Sequence, residues 1–149
     1  MNVHFLSSAE KKELLAQLKE QFDINEIPSL LLETGKEKIR AFSGALSKEE
    51  LLDLAQLVNI EIIGLYMIRK EHDIRLSFDA TQLLNKQLKK NIVEITDEQL
   101  ALWIRGHDLE TAGPRGTVII RNGSDFFGCG KSTGERIINH VPKERRIRK

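Results

Sequence analysis

One cysteine, three prolines and eight aromatic side chains, six of them phenylalanine, are all that the 149 residues supply of these types. A lone thiol at Cys129 excludes an intramolecular disulfide and any multi-cysteine metal site, so the chain is not a disulfide-stapled miniprotein. No apolar run reaches the ~18 residues that a membrane-spanning helix requires. The opening MNVHFLSSAEKKE also lacks the basic segment and apolar block of a secretory leader. A cytoplasmic setting with no membrane partner is therefore expected. The scarcity of aromatics leaves few platforms on which single-stranded bases would stack.

Neither sign of charge dominates: 23 Lys and Arg stand against 22 Asp and Glu, for a net charge of +1. That balance hides a division along the chain. From Thr111 to Lys149 there are nine basic residues and three acidic ones, a net of +6, so the first 110 residues carry −5. With 40% hydrophobic residues there is ample material for a core, and the length allows one ordinary domain or two small ones.

Ser7 with Glu10 has the form of a capping box, and Leu14, Leu15, Leu18 and Phe22 recur at helical spacing, which predicts a helix over about 8–22. LLLE and KIRAFS, flanking Thr34 to Glu37, read as a hairpin. Ser47 with Glu50 opens a second amphipathic helix through Leu51, Leu52, Leu54, Ala55 and Val58. EIIGLYMI and IRLSF, around the turn Lys70 to Asp73, form a second hairpin. Ala80 to Asn91 reads as a polar helical connection. NIVEI then starts a second unit as a strand, and Thr96 with Gln99 caps a helix that stops at Gly106. TVIIR is a buried strand by its β-branched content. Asn122-Gly123 is the form of a two-residue type I′ hairpin, whose central residues both need positive φ. SDFFGCGK returns as the partner strand, and RIINHV is a last strand. The result is a small α/β layer followed by a small barrel or strongly bent sheet.

GCGKST, Gly128 to Thr133, resembles the end of a phosphate-cradling loop, but the residue five before Gly130 is Asp125 where a glycine is needed. Gly134 and Pro142 interrupt the helix that such a loop must open. A glycine-bearing strand is the better reading. His4, His72, His107 and His140 show no metal-ligand spacing, and no metal or other cofactor is expected. Cys129 and Lys131 share a face on an alternating strand, yet a small core residue is the simpler role for the thiol. Trp103, on a helix with Leu100, Leu102 and Ile104, reads as core. The basic residues carry more information. VPKERRIRK sets five basic residues against one acidic residue. Arg115, Arg121, Lys131 and Arg136 lie in the same acid-poor unit, between glycines that let backbone amides approach a phosphate chain. Counterion release favours polyanion binding there.

The order NIVEI, TDEQLALWIRG, RGHDLETAGPRG and GTVIIRNGSDFFGCGKST resembles the PUA domain, the pseudo-barrel module named for pseudouridine synthase and archaeosine transglycosylase. The resemblance covers roughly Lys89 to Lys149. The preceding unit, with LYMIRKEHDIRLSFDATQLL, is similar to the pre-PUA domain of small two-domain archaeal proteins and of the eukaryotic ribosome-biogenesis factor of the same build. The resemblance implies an α+β chain: a small α/β pre-PUA domain over 1–88, then a PUA-type β-pseudo-barrel with one main helix over 89–149. It implies non-catalytic binding of structured RNA, rRNA or tRNA, by an accessory factor in RNA maturation or ribosome biogenesis. Arg105, Gly106 and His107 at the helix-end loop and Lys131 on a late strand would make the contacts. The charge count adds Arg115, Arg136, Lys143, Arg145, Arg146, Arg148 and Lys149. The alternative is a protein–protein adaptor whose acidic N-terminal unit docks an RNA-modification enzyme or a ribosome-assembly factor.

Overall fold

The computed structural model describes residues 3–35, 37–43, 47–57 and 64–148. Helix α1 (Ser8–Phe22) begins as its sequence dictates: the Glu10 amide donates to Ser7 Oγ at 3.1 Å, and the Ser7 amide donates to the Glu10 carboxylate at 3.0 Å. The same reciprocal box starts α2 (Lys48–Leu57) at Ser47 and Glu50. Both close amides that the first helical turn would otherwise leave open. Around these helices β1 (Val3–Phe5), β2 (Leu30–Thr34), β3 (Lys38–Phe42), β4 (Leu65–Lys70) and β5 (Ile74–Leu76) form one antiparallel five-stranded sheet in sequence order. Both expected hairpins are present in it. Val58 and the EII at the start of the expected fourth strand lie outside the described residues.

Strand β1 is an addition to the sequence reading. Its three residues pair with β2 from Val3↔Thr34 to Phe5↔Leu32, and so short a run carries no periodicity to detect. The Ala80 to Asn91 segment is a correction. Helix α3 spans only Phe78–Leu83, starting at the Ser77 cap, and is followed by a 3-10 turn at Asn85–Gln87. Side-chain anchors take over from the helix there. Gln87 Oε1 accepts the amides of Asn25 and Glu26 at 2.8 and 3.1 Å. Asn91, at φ 56°, donates its Nδ2 to the Gln21 carbonyl at 2.7 Å. Nor is α3 a mere connection: Thr81 is fully buried, and its hydroxyl accepts the Gly128 amide at 3.0 Å.

The second sheet runs β6 (Ile92–Glu94), β7 (Gly116–Asn122), β8 (Asp125–Ser132), β9 (Ile137–Asn139), with β6 parallel to β7 and the rest antiparallel. Helix α4 (Asp97–Trp103) fills the β6–β7 crossover, opened by the Thr96–Gln99 box. Trp103 is fully buried with Val118, Ile120 and Ile137, as expected of a core residue. Gly130 exists for that ring. A Cβ on Gly130 would lie 2.7 Å from the Trp103 ring and 2.6 Å from Ile137 Cγ2. A second apolar cluster is continuous from Leu14, Leu18 and Phe22 of α1, through Ile74, Leu76 and Ala80, to Ile119, Phe126 and Cys129 of the second sheet. The whole is an α+β fold with a barrel-like second half.

The β7–β8 hairpin differs from the expected type I′ turn. Asn122 pairs with Asp125, so the loop is Gly123-Ser124, and of these only Gly123 has positive φ, at 65°. Glycine at the first central position with positive φ is the pattern of a type II′ turn. Asn122 is instead held in the strand by its side chain, which donates to Ile95 O and Asp97 Oδ1, both at 3.0 Å.

Candidate nucleic-acid interface

Helix α4 ends against a left-handed glycine. Gly106 has φ 95°, its amide donates to Trp103 O at 3.0 Å, and the His107 amide donates to Leu102 O at 3.1 Å. A residue with a Cβ would be strained at that φ. It would also collide with its neighbour, since a Cβ there would lie 2.7 Å from Arg146 Nε. Arg146 is held in place by donation from Nε to Val141 O at 2.9 Å, while the Ile147 amide donates to Ile104 O at 2.8 Å. The basic C-terminal segment therefore folds back over the end of α4.

Asn139, 9% exposed, is the clasp between loop and segment. Its Nδ2 donates to Trp103 O at 2.7 Å and His107 O at 3.0 Å, its Oδ1 accepts the Val141 amide at 2.7 Å, and its own amide donates to Asp108 Oδ1 at 2.8 Å. Sequence reasoning missed it, because a single Asn in a strand looks like any polar residue. Asn139→Ala is expected to cost about 2–3 kcal/mol, through carbonyls and an amide left buried without partners. Urea unfolding monitored by Trp103 fluorescence measures that loss.

Between the loop and the folded-back segment lies a groove of about 360 Å³, lined by Arg105, His107, Lys143, Arg146, Ile147 and Arg148. No carboxylate among the described residues pairs with Arg105, Lys143, Arg146 or Arg148. Positive charge is thus gathered on a concave surface and left uncompensated, which is the electrostatic form of a phosphate-binding face. Ile147, more than half exposed, adds an apolar wall that the charge count did not anticipate.

The remaining residues expected at the interface stand elsewhere. Arg136 is bound to Asp108 at 2.8 Å and Glu110 at 3.0 Å. Arg145 turns to the other side of the 3-10 turn Lys143–Arg145, where Asp79 lies 2.8 Å away and raises the pKa of the guanidinium further. Lys131 points toward the first sheet, 3.8 Å from Asp73. Arg115 lies beside Gly134. Lys149 is outside the described residues.

GCGKST lies on β8 and the turn after it, as a strand and not at a helix start. Cys129, 3% exposed, packs in the cluster between the sheets, and burial pushes its thiol up to about 12. It is expected to resist a disulfide reagent at pH 8 in the native protein and to react at once in denaturant. Rapid native labelling would contradict this. His4, Glu10 and Glu33 bring ligand atoms within 4.8 Å of one another on the exposed edge of the first sheet. Their capacity is already engaged: Glu10 accepts from Ser7 and His4, and Glu33 from Lys70.

Residues 90–147 match the family described as the methyltransferase RsmF PUA domain. That match covers about two-fifths of the chain, at its C-terminal end. No curated protein matches the chain in sequence. Among solved structures, the chain is similar to a conserved PUA domain protein from Thermoplasma acidophilum at 16% identity, with a TM-score of 0.63 and 95% of each chain covered. That likeness shows the fold, and it extends through the N-terminal half, which the family match does not reach.

Proposed function

We propose that this chain binds structured RNA, without a catalytic site of its own, as an accessory factor in rRNA or tRNA maturation or ribosome biogenesis. In this reading a pre-PUA unit over 1–88 precedes a PUA unit over 89–149. The observation that carries it is the uncompensated basic groove at Gly106, built by the α4 end and the folded-back segment. No Phe, Tyr or Trp lines the groove and His107 is its one ring, which suits phosphate, 2′-hydroxyl and shape recognition better than extended base stacking. A cytoplasmic location fits that role, and among the described residues no helix is long and apolar enough to cross a membrane.

Fluorescence anisotropy with labelled tRNA, an rRNA stem-loop and duplex DNA of matched length, each across a salt series, tests the reading. RNA-selective binding is expected, with log affinity falling by about 0.7–0.9 per phosphate contacted for each tenfold rise in salt. Equal, weak binding to all three would reduce the groove to indiscriminate charge. The adaptor reading would then come forward, supported by Leu52 and Leu54 exposed on α2 beside Glu49, Glu50 and Asp53.

A further inference from the structure

The turn Lys143–Arg145 has a second side. There a cleft of about 540 Å³ opens between β3, β4 and β5 of the first sheet and the segment from His140 to Arg145. Its first-sheet wall is built from Lys38, Arg40, Tyr66, Arg69 and Arg75. The strand register explains why these meet: Lys38 stands opposite Arg69, Arg69 opposite Arg75, and Arg40 opposite Tyr66. A row of three cations thus crosses three neighbouring strands. Like charges directly opposite one another destabilise a sheet, so such a row stands at a cost that an anion in the cleft would remove.

The carboxylates nearby, with Asp79 and Glu144 in the cleft wall itself, offset only part of that charge. Glu37 and Glu71 lie 3.4 and 3.0 Å from Arg69, Glu71 lies 3.7 Å from Arg75, and Asp79 holds Arg145. Lys38 and Arg40 have no carboxylate partner among the described residues. Lys38 Nζ sits 5.5 Å from the Tyr66 ring centroid, and Arg40 gives Nη1 to Gly64 O at 3.2 Å. Arg40 Nε is buried with no hydrogen-bond partner among the described residues. A buried cationic donor left open is costly, and a phosphate oxygen would satisfy it once the guanidinium turns toward the cleft.

We propose that this cleft takes the phosphodiester backbone of the RNA bound in the groove, so that one strand passes over Lys143–Arg145 and contacts both halves of the chain. The inference rests on the RNA reading above. A strand fits better than a free phosphate because the cleft and the groove flank the same turn, with Lys143 lining one and Arg145 the other. The acidic balance of the first 110 residues hides this face from a charge count.

The test is the full chain carrying Lys38→Gln and Arg40→Gln, compared with the native protein by anisotropy on the rRNA stem-loop. Losing two phosphate contacts lowers affinity about tenfold and flattens the log–log salt slope by about 1.4–1.8. Thermal unfolding should shift little, since relief of the like charges at Lys38 offsets the loss of its contact with the Tyr66 ring and of the Arg40 bond to Gly64 O. A second readout needs no variant: the Arg40 Nε–H resonance of the native protein shifts on adding the stem-loop and does not shift with inorganic phosphate at equal phosphate concentration. Unchanged affinity and slope with a stationary resonance, while native protein still binds RNA, overturns the cleft and leaves the groove standing. A resonance that answers to inorganic phosphate and not to RNA overturns the assignment to a strand. Native protein that binds no RNA fails at the earlier step.

Discussion

Reversing two charges in the groove, Arg105→Glu with Arg148→Glu, is expected to weaken binding to a structured RNA on the order of 100-fold at moderate salt. Both side chains are exposed, both line the groove, and neither has a carboxylate partner among the described residues. The reversal therefore removes two phosphate contacts and puts two repulsions in their place. The salt dependence should flatten with it, by about 1.4–1.8 in the log–log slope. Arg146 is the wrong residue for this experiment, because its Nε secures Val141 O and its side chain covers Gly106. Arg136→Gln is the informative control. Its guanidinium is committed to Asp108 and Glu110, so RNA affinity should change by less than about threefold, the scale of one exposed ion pair. Equal losses from both variants would mean that net charge, not the groove, drives binding.

Trp103→Ala is expected to have the largest effect on stability, about 3–5 kcal/mol. The ring is fully buried, its Nε1 donates to Phe127 O at 2.7 Å, and β8 presents a glycine at position 130 so that the ring fits. Truncation leaves a cavity next to Gly130 and orphans a carbonyl in the β8 strand. The damage reaches the groove as well, because Trp103 O is one of the acceptors that Asn139 uses to hold loop and segment together. Denaturant unfolding should show the loss with RNA affinity falling in parallel. A cost below ~1.5 kcal/mol would mean that the barrel core repacks around the gap.

Arg105, Arg148 and Trp103 also mark what the sequence discloses and what it withholds. Capping boxes at Ser7, Ser47 and Thr96, the β-branched run of β7 and the apolar face carrying Trp103 are local patterns, and the fold follows them closely. The resemblance points to Arg105, Gly106 and His107, and the structure sets Arg105 and His107 in a groove with Lys143, Arg146 and Arg148, and Gly106 against Arg146. Other features depend on distant partners. Strand β1 exists only through its pairing with β2, and α3 stops where Gln87 and Asn91 find backbone partners near α1. A charge count treats Arg136 and Arg146 alike, although one is neutralised by acids brought from the α4–β7 connection and the other is not. The cation row of Lys38, Arg69 and Arg75 is a product of strand register and has no one-dimensional signature.

The most direct test of RNA recognition at Gly106 is amide chemical-shift mapping of the full chain during titration with an rRNA stem-loop. The largest changes are expected at 104–108 and 143–148, with the Asp108–Glu110–Arg136 cluster moving only where it adjoins the loop. Shifts concentrated on α2, or absent from the groove while RNA is bound, would contradict it.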